Sequence, residues 1–240
     1  MLEMLANTNW ERPMYMAITV GSENHLNLGD YFMQEGLAYR ITPFNTTKLN
    51  ARIDSEKMYD NLMHKFKFGG IEKDGIYLDE TVLRMSQTHR RMFVQVASQL
   101  IKEGKNEKAL KALDYCQQVI PSKNVAHDYV MSSSKEMAED YVALGEYAKA
   151  EAILDELANK AVEYITWYMS LDDDRLALSY ESCVRNFYIL DDVNKTLARI
   201  ESKKEAGAEG EIKTSSEMAE HYAQKFDELY DMFNTRIGRK

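Results

Sequence analysis

The chain has 240 residues, 45% of them hydrophobic and 29% charged, with a formal net charge of −9. That balance supports a globular core and excludes intrinsic disorder, while the acidic surplus and the lack of a long basic stripe argue against nucleic acid as a partner. Only 3 prolines and 11 glycines stand against 14 methionines, which favours helix. No run of about 20 apolar residues is present to span a bilayer, and MLEMLANTNW lacks the basic and apolar regions of a signal peptide.

In chain order, residues 1–6 read as a helix that ends near Asn7, and MYMAITV (14–20) as a short strand behind Pro13. A turn-rich segment leads to a short helical stretch, YFMQEG (31–36), and then to a second strand, LAYRITPF (37–44). The expected product is a small strand-helix-strand α/β cap over residues 1–52. From residue 53 the periodicity becomes helical up to residue 240. Asp54 and Asp79 are N-cap candidates, each bracketed by a hydrophobic-staple pair, Ile53 with Met58 and Leu78 with Leu83. The first helix is expected to end at Gly69-Gly70 and the second to run to about Lys102. Ser133 with Glu136 and Thr214 with Glu217 have capping-box spacing. SKKEAGAEGEIK (202–213) reads as a polar loop.

The helical part repeats itself. GKNEKALKAL (104–113) and GEYAKAEAIL (145–154) each place alanine five and leucine nine residues after a glycine. The pattern resembles the tetratricopeptide repeat, a 34-residue helix–turn–helix unit in which glycine permits the turn and small residues permit close helix approach. Repeat units are expected at about 90–121 and 131–162, with divergent helices at 172–200 and 214–237 completing the stack. The offset of 41 residues between glycines 104 and 145 leaves room for an insertion near 122–130. The second copy also has Val162 where Pro121 ends the first. The fold class expected is therefore mainly α, an α-α superhelix carrying a small N-terminal cap.

Catalytic chemistry is hard to find. The five histidines form no H-x-x-x-H or Cys/His pair at ligand spacing, so no metal or cofactor is expected. Asp172-Asp173-Asp174 lacks the alternating ligands and central glycine of a calcium loop and reads as a helix start. Phosphate-cradling loops and the nucleophile elbow are likewise without their markers. Cys116 and Cys183 sit in apolar helical patterns, as small buried side chains do. The sequons at Asn45 and Asn194 matter only in a secretory host.

Two surfaces are candidates for binding. If the repeat alignment holds, Arg91, Val94, Ser98, Ile101 and Lys102 face the concave side of the leading helix. Tyr164, Trp167 and Tyr168, with Tyr180, Phe187 and Tyr188, form an aromatic stripe suited to a sugar or peptide groove. The plainer alternative for that stripe is packing between helices.

The segments NWERPMYMAITVG, LGDYFMQEGLAYRITP, RIDSEKMYDNLM and YLDETVLRMSQTHRRMFVQVASQLIKEGKNEKA together resemble the C-terminal region of a bacterial family of multi-pass membrane proteins. The membrane part of that family, of unknown function, resembles protein O-mannosyltransferases, and its soluble part carries helical repeats. The likeness runs in order from about residue 1 to 160. It implies an extramembrane, non-catalytic segment at the periplasmic face of the inner membrane. Its expected partners are the parent's membrane domain and an acceptor protein or glycan. The family's catalytic acid has no counterpart here, so no catalytic residue is implied. Trp10 and Arg12 become candidates for contact with a preceding region, although a buried Trp10 anchoring the cap is the plainer expectation. The alternative reading is a stand-alone helical-repeat protein that binds peptide or carbohydrate.

Overall fold

The apolar run after Pro13 does form a strand, but only Tyr15–Ala17 (β1) of it, because the chain turns at once, Val20 N–H donating to the Ala17 carbonyl. The computed structural model describes residues 2–207 and 213–237, divided into two compact units, Met1–Ala126 and His127–Lys240. The first unit opens with helix α1 (Leu2–Asn7) and a three-stranded antiparallel sheet in the order β1-β3-β2. The expected helix at 31–36 is instead strand β2 (Phe32–Gln34), preceded by a single 3-10 turn at Gly29–Tyr31. Burial explains the difference. All three β2 residues are covered, and the main chain of Gln34 is held by the Arg52 carbonyl and the Asp54 N–H beyond its pairing with β3 (Ala38–Ile41). Met16, Phe32 and Ile41 make a small core on one sheet face, with Leu5 of α1 and Tyr39 packed against it.

Asp54 caps helix α2 (Ser55–Asp60), its carboxylate accepting the Lys57 N–H at 3.0 Å. The helix does not reach Gly69. It loosens into a π-helical turn at Asn61–Lys65, and Phe66 is already extended. The phenylalanines that follow are used elsewhere: Phe68 packs against Phe93 and Tyr115. Asp79 caps helix α3 (Glu80–Lys102), which ends where the sequence places its end.

Helix α4 (Asn106–Val119) returns along α3 to make a hairpin, and in the second unit α5 (Ser134–Ala143) and α6 (Tyr147–Ser170) make another. The two turns close with the same hydrogen bonds. Gly104 and Gly145 adopt φ of 74° and 81°, and the residue after each donates back across the turn, Lys105 to Leu100 and Glu146 to Tyr141. This is the Schellman arrangement, in which a left-handed residue lets the chain satisfy the last helical carbonyls. Ala109 and Leu113 in one hairpin, and Ala150 and Leu154 in the other, are all fully buried, so the repeated spacing marks core positions.

Several expectations in the second unit change. Ser133 is no N-cap: it sits at φ 52° with no capping side-chain bond. Helix α6 continues past residue 162, as the absence of a proline there permits. The helix expected at 172–200 is broken at Ser179 into α7 (Asp173–Leu178), capped by Asp172, and α8 (Tyr180–Gly207). Residues 202–207 are thus helical, not loop, while 208–212 lie outside the described residues. Helix α9 (Lys213–Ile237) begins one residue before Thr214, whose side chain also lies outside the described part. Helices α6, α8 and α9 pack on one another. The α8 core stripe of Cys183, Phe187, Leu190, Val193, Leu197 and Ile200 recurs every three or four residues, as an amphipathic helix requires.

One buried group in the first unit had no place in the sequence reading. Arg90 on α3 is fully buried, and its guanidinium donates to the carbonyls of Ile120, Val125 and Ala126 at 2.9, 2.6 and 3.1 Å. These carbonyls come from the C-cap of α4 and the loop beyond it, where a cation also meets the negative end of the helix dipole.

Replacing Gly104 by alanine is expected to cost about 1 kcal/mol in urea unfolding, and replacement by asparagine less, since the cost is the left-handed backbone alone. No atom lies within 4 Å of the position an added Cβ would take. Arg90→Met should cost about 3 kcal/mol by the same measurement, because two buried carbonyls and the part-buried one of Ala126 lose a charged donor. Arg90→Lys should not restore it, since an ammonium cannot reproduce the fork.

Candidate binding sites

The side chains that sequence reasoning singled out meet different fates. On α3, Arg91, Ser98 and Ile101 are partly exposed and Lys102 is exposed, but Val94 is only 2% exposed and offers a ligand no surface. The expected buried anchor, Trp10, is 48% exposed. It stands on backbone at φ 61°, directly after Asn9 at φ 46°. A bulky residue pays for that conformation, and such outliers concentrate at functional sites. Arg12, two residues on, is exposed as well. In the aromatic stripe Phe187 is core, Tyr180 stacks on Phe233 of α9 with ring centroids 5.8 Å apart, and Tyr168 is half-buried beside Trp167, whereas Tyr164, Trp167 and Tyr188 are 45%, 53% and 71% exposed.

The cap also holds a charge cluster that sequence reasoning missed. Glu35, 4% exposed, follows β2 and has its carboxylate met from three elements. Arg40 Nε of β3 lies 2.6 Å from Oε1, Lys57 Nζ of α2 lies 2.5 Å from Oε2, and the Tyr15 hydroxyl of β1 donates to Oε2 at 2.9 Å. The strand register makes this possible, because Tyr15 and Arg40 are directly opposed across β1 and β3. The Glu35 carboxylate holds the Lys57 ammonium above its ordinary pKa, against the opposing effect of burial. Asn61 of the π-turn donates to the Glu35 carbonyl at 2.7 Å. Gly36 takes φ 131°, and a Cβ there would press to 3.2 Å from the Phe66 ring. No local sequence signal marks the cluster: Arg40 and Lys57 both follow Glu35, with Lys48, Arg52, Asp54 and Glu56 lying between those two cations.

The start of α2 is tied to the α3–α4 hairpin. Glu56 receives hydrogen bonds from Lys105 at 2.7 Å and Lys108 at 2.6 Å, and Ser55 donates to Glu103 at 2.8 Å. The two ammonium groups lower the Glu56 pKa from 4.5 to about 2.

In the second unit a cleft of about 300 Å³ opens between α6, α8 and the loop at 128–131. The loop is tied down from several sides. Asp128 Oδ1 accepts the N–H groups of Val130 and Met131, Ser132 donates to the Asp128 carbonyl, and His127 Nδ1 and Ser132 both bond the Ser134 hydroxyl. Leu157 and Ala161 form its floor, and Lys160, Tyr164 and Arg185 stand at its rim.

Both cysteines are buried free thiols, Cys116 raised to about 12 and Cys183 to about 11 by burial, which favours the protonated thiol near neutral pH. Among the described residues, no group of three or more His, Cys, Asp or Glu side chains is placed to hold a metal ion. Among the same residues no helix is long and apolar enough to cross a membrane.

A carboxylate whose pKa is lowered on folding stabilises the protein above its unfolded value, and that contribution is lost as pH falls through the folded value. For Glu56 the window runs from pH 4.5 down to about 2. Glu56→Gln should therefore lower the urea midpoint at pH 7, and the gap between variant and wild type should close across that window.

Residues 1–58 match the model of a family described as TMEM260-associated domain 2. The matched segment contains Trp10, Arg12 and all four side chains of the Glu35 cluster. No curated protein matches the chain, and no solved structure does. The match links the first 58 of the 240 residues to a domain associated with TMEM260-type proteins.

Proposed function

We propose that the chain is a non-catalytic, extramembrane accessory region of a membrane protein, with its cap docking on the rest of that protein. The match at residues 1–58 carries this reading, together with Trp10, which lies within the matched segment. Trp10 is a large aromatic residue left exposed on left-handed backbone. Exposed aromatic and arginine side chains are the usual anchors of protein interfaces, and Trp10 with Arg12 supplies one of each. The Glu35 cluster serves the cap by fixing β1 relative to α2. The membrane part would be a glycosyltransferase of the protein O-mannosyltransferase kind, acting at the periplasmic face. The glycine-turned hairpins are then divergent tetratricopeptide-like units that present acceptor protein or glycan. Arg91, Ser98, Ile101 and Lys102 remain the groove residues in this proposal. The tied-down loop at 128–131 and its cleft favour a second reading, a stand-alone helical-repeat protein that binds peptide or carbohydrate.

The test is co-purification of this chain with the membrane part of its parent. The double change Trp10→Ala with Arg12→Ala is expected to reduce recovery at least tenfold, with circular dichroism unchanged. Arg91→Ala with Lys102→Ala should leave that recovery intact. Equal recovery by wild type and the Trp10/Arg12 variant would overturn the docking role.

A further inference from the structure

The second unit, residues 127–240, carries 14 Lys and Arg against 24 Asp and Glu, while the first unit is nearly neutral. In so acidic a unit the cations are mostly consumed. Lys135, Lys195 and Arg199 pair with carboxylates, and Arg236 both pairs with Asp173 and donates to main-chain carbonyls. Arg185 is different. It is exposed at the rim of the 300 Å³ cleft and makes no ion pair or hydrogen bond among the described residues.

The charges around the cleft are few enough to count. Lys160 lies 3.6 Å from Asp128 Oδ2 and reaches the His127 carbonyl at 3.4 Å, both long contacts. The other oxygen of Asp128 is occupied by the loop's own N–H groups. On the cleft's own lining two cations meet one carboxylate, a surplus of one positive charge, while Asp192 beyond it is engaged by Tyr129 and Lys135 and Glu156 by the His127 N–H. That surplus matches a single negative charge, and Asp128 would repel a dianion such as a phosphate monoester. A planar guanidinium is suited to the two oxygens of a carboxylate.

The rest of the cleft specifies what must be attached to that carboxylate. The floor is apolar, with Leu157 and Ala161 each 2% exposed, and alanine at 161 gives depth where a larger residue would fill it. Tyr164 stands at the edge 45% exposed, and Val130 and Met131 extend an apolar lip at 60% and 41%. The volume is at the lower limit of small-ligand pockets, about 300 Å³. Because the 128–134 loop is held by its own hydrogen bonds, little ordering cost attends binding.

We infer that this cleft binds a monoanionic carboxylate carried on a short apolar body, with Arg185 as the anion anchor and Leu157, Ala161 and Tyr164 as the apolar seat. Such a group comes from the end of a peptide chain or from a free small acid. The inference does not rest on the membrane-protein reading.

The test is NMR titration of the full chain with N-acetyl-Phe-Leu, its C-terminal amide and 4-methylvalerate. The dipeptide acid is expected to shift the Ala161 and Leu157 methyl signals and to bind at least tenfold more tightly than its amide. Arg185→Ala, at an exposed site, should abolish that tenfold preference without altering circular dichroism, whereas Arg175→Ala should not. If the free acid binds as well as the dipeptide, the ligand is a small acid; if it binds more weakly, the ligand is a peptide end. No shift at millimolar dipeptide, or equal binding of acid and amide, would overturn the proposal.

Discussion

A carboxylate withdrawn from water must be met by partners, and in the cap that requirement falls on Glu35. Losing either cation would leave that buried charge only partly compensated. The three partners arrive from β1, β3 and α2, so satisfying one carboxylate fixes three elements at once. The turn that delivers Glu35 needs Gly36, because the backbone there is left-handed and Phe66 occupies the adjoining space. Once α2 is placed, its first turn presents Glu56 to Lys105 and Lys108, beside the glycine turn of the first hairpin. A three-stranded sheet of three or four residues per strand would be marginal alone. This chain of polar contacts attaches it to the helical unit that stabilises it.

The helical body was largely legible in the sequence, because its rules are local. Capping by Asp54, Asp79 and Asp172 depends on residues three positions away, and all three caps form. The glycine turns follow from a single backbone requirement repeated at residues 104 and 145. Ser133 has the spacing of a cap without the result, because its backbone is left-handed at φ 52°, where an N-cap takes extended backbone. The short strand β2 carries no local strand signal, since its covering groups lie far along the chain, at residues 41, 52 and 54.

The candidate sites were less legible, for the same reason. Glu35 is one of 39 acidic residues, and only the strand register reveals that Tyr15 and Arg40 converge on it. Arg90 lies four residues after Ser86 and three before Phe93, on the buried stripe of α3, so its position was visible although its carbonyl partners were not. Exposure also redistributes the candidates. Val94 leaves the groove and enters the core, while Trp10 moves from supposed anchor to surface. The aromatic stripe divides residue by residue, which periodicity alone does not resolve.

The placement of the two cysteines makes each unit report on itself. Cys116 lies in the first unit and Cys183 in the second, both buried and both held as unreactive thiols. A thiol reagent added to the native protein therefore gains access only when the surrounding helices open. Because each unit carries one thiol, the rate of modification at each position measures how often that half of the molecule breathes. The order in which the two thiols are consumed reveals which half opens first.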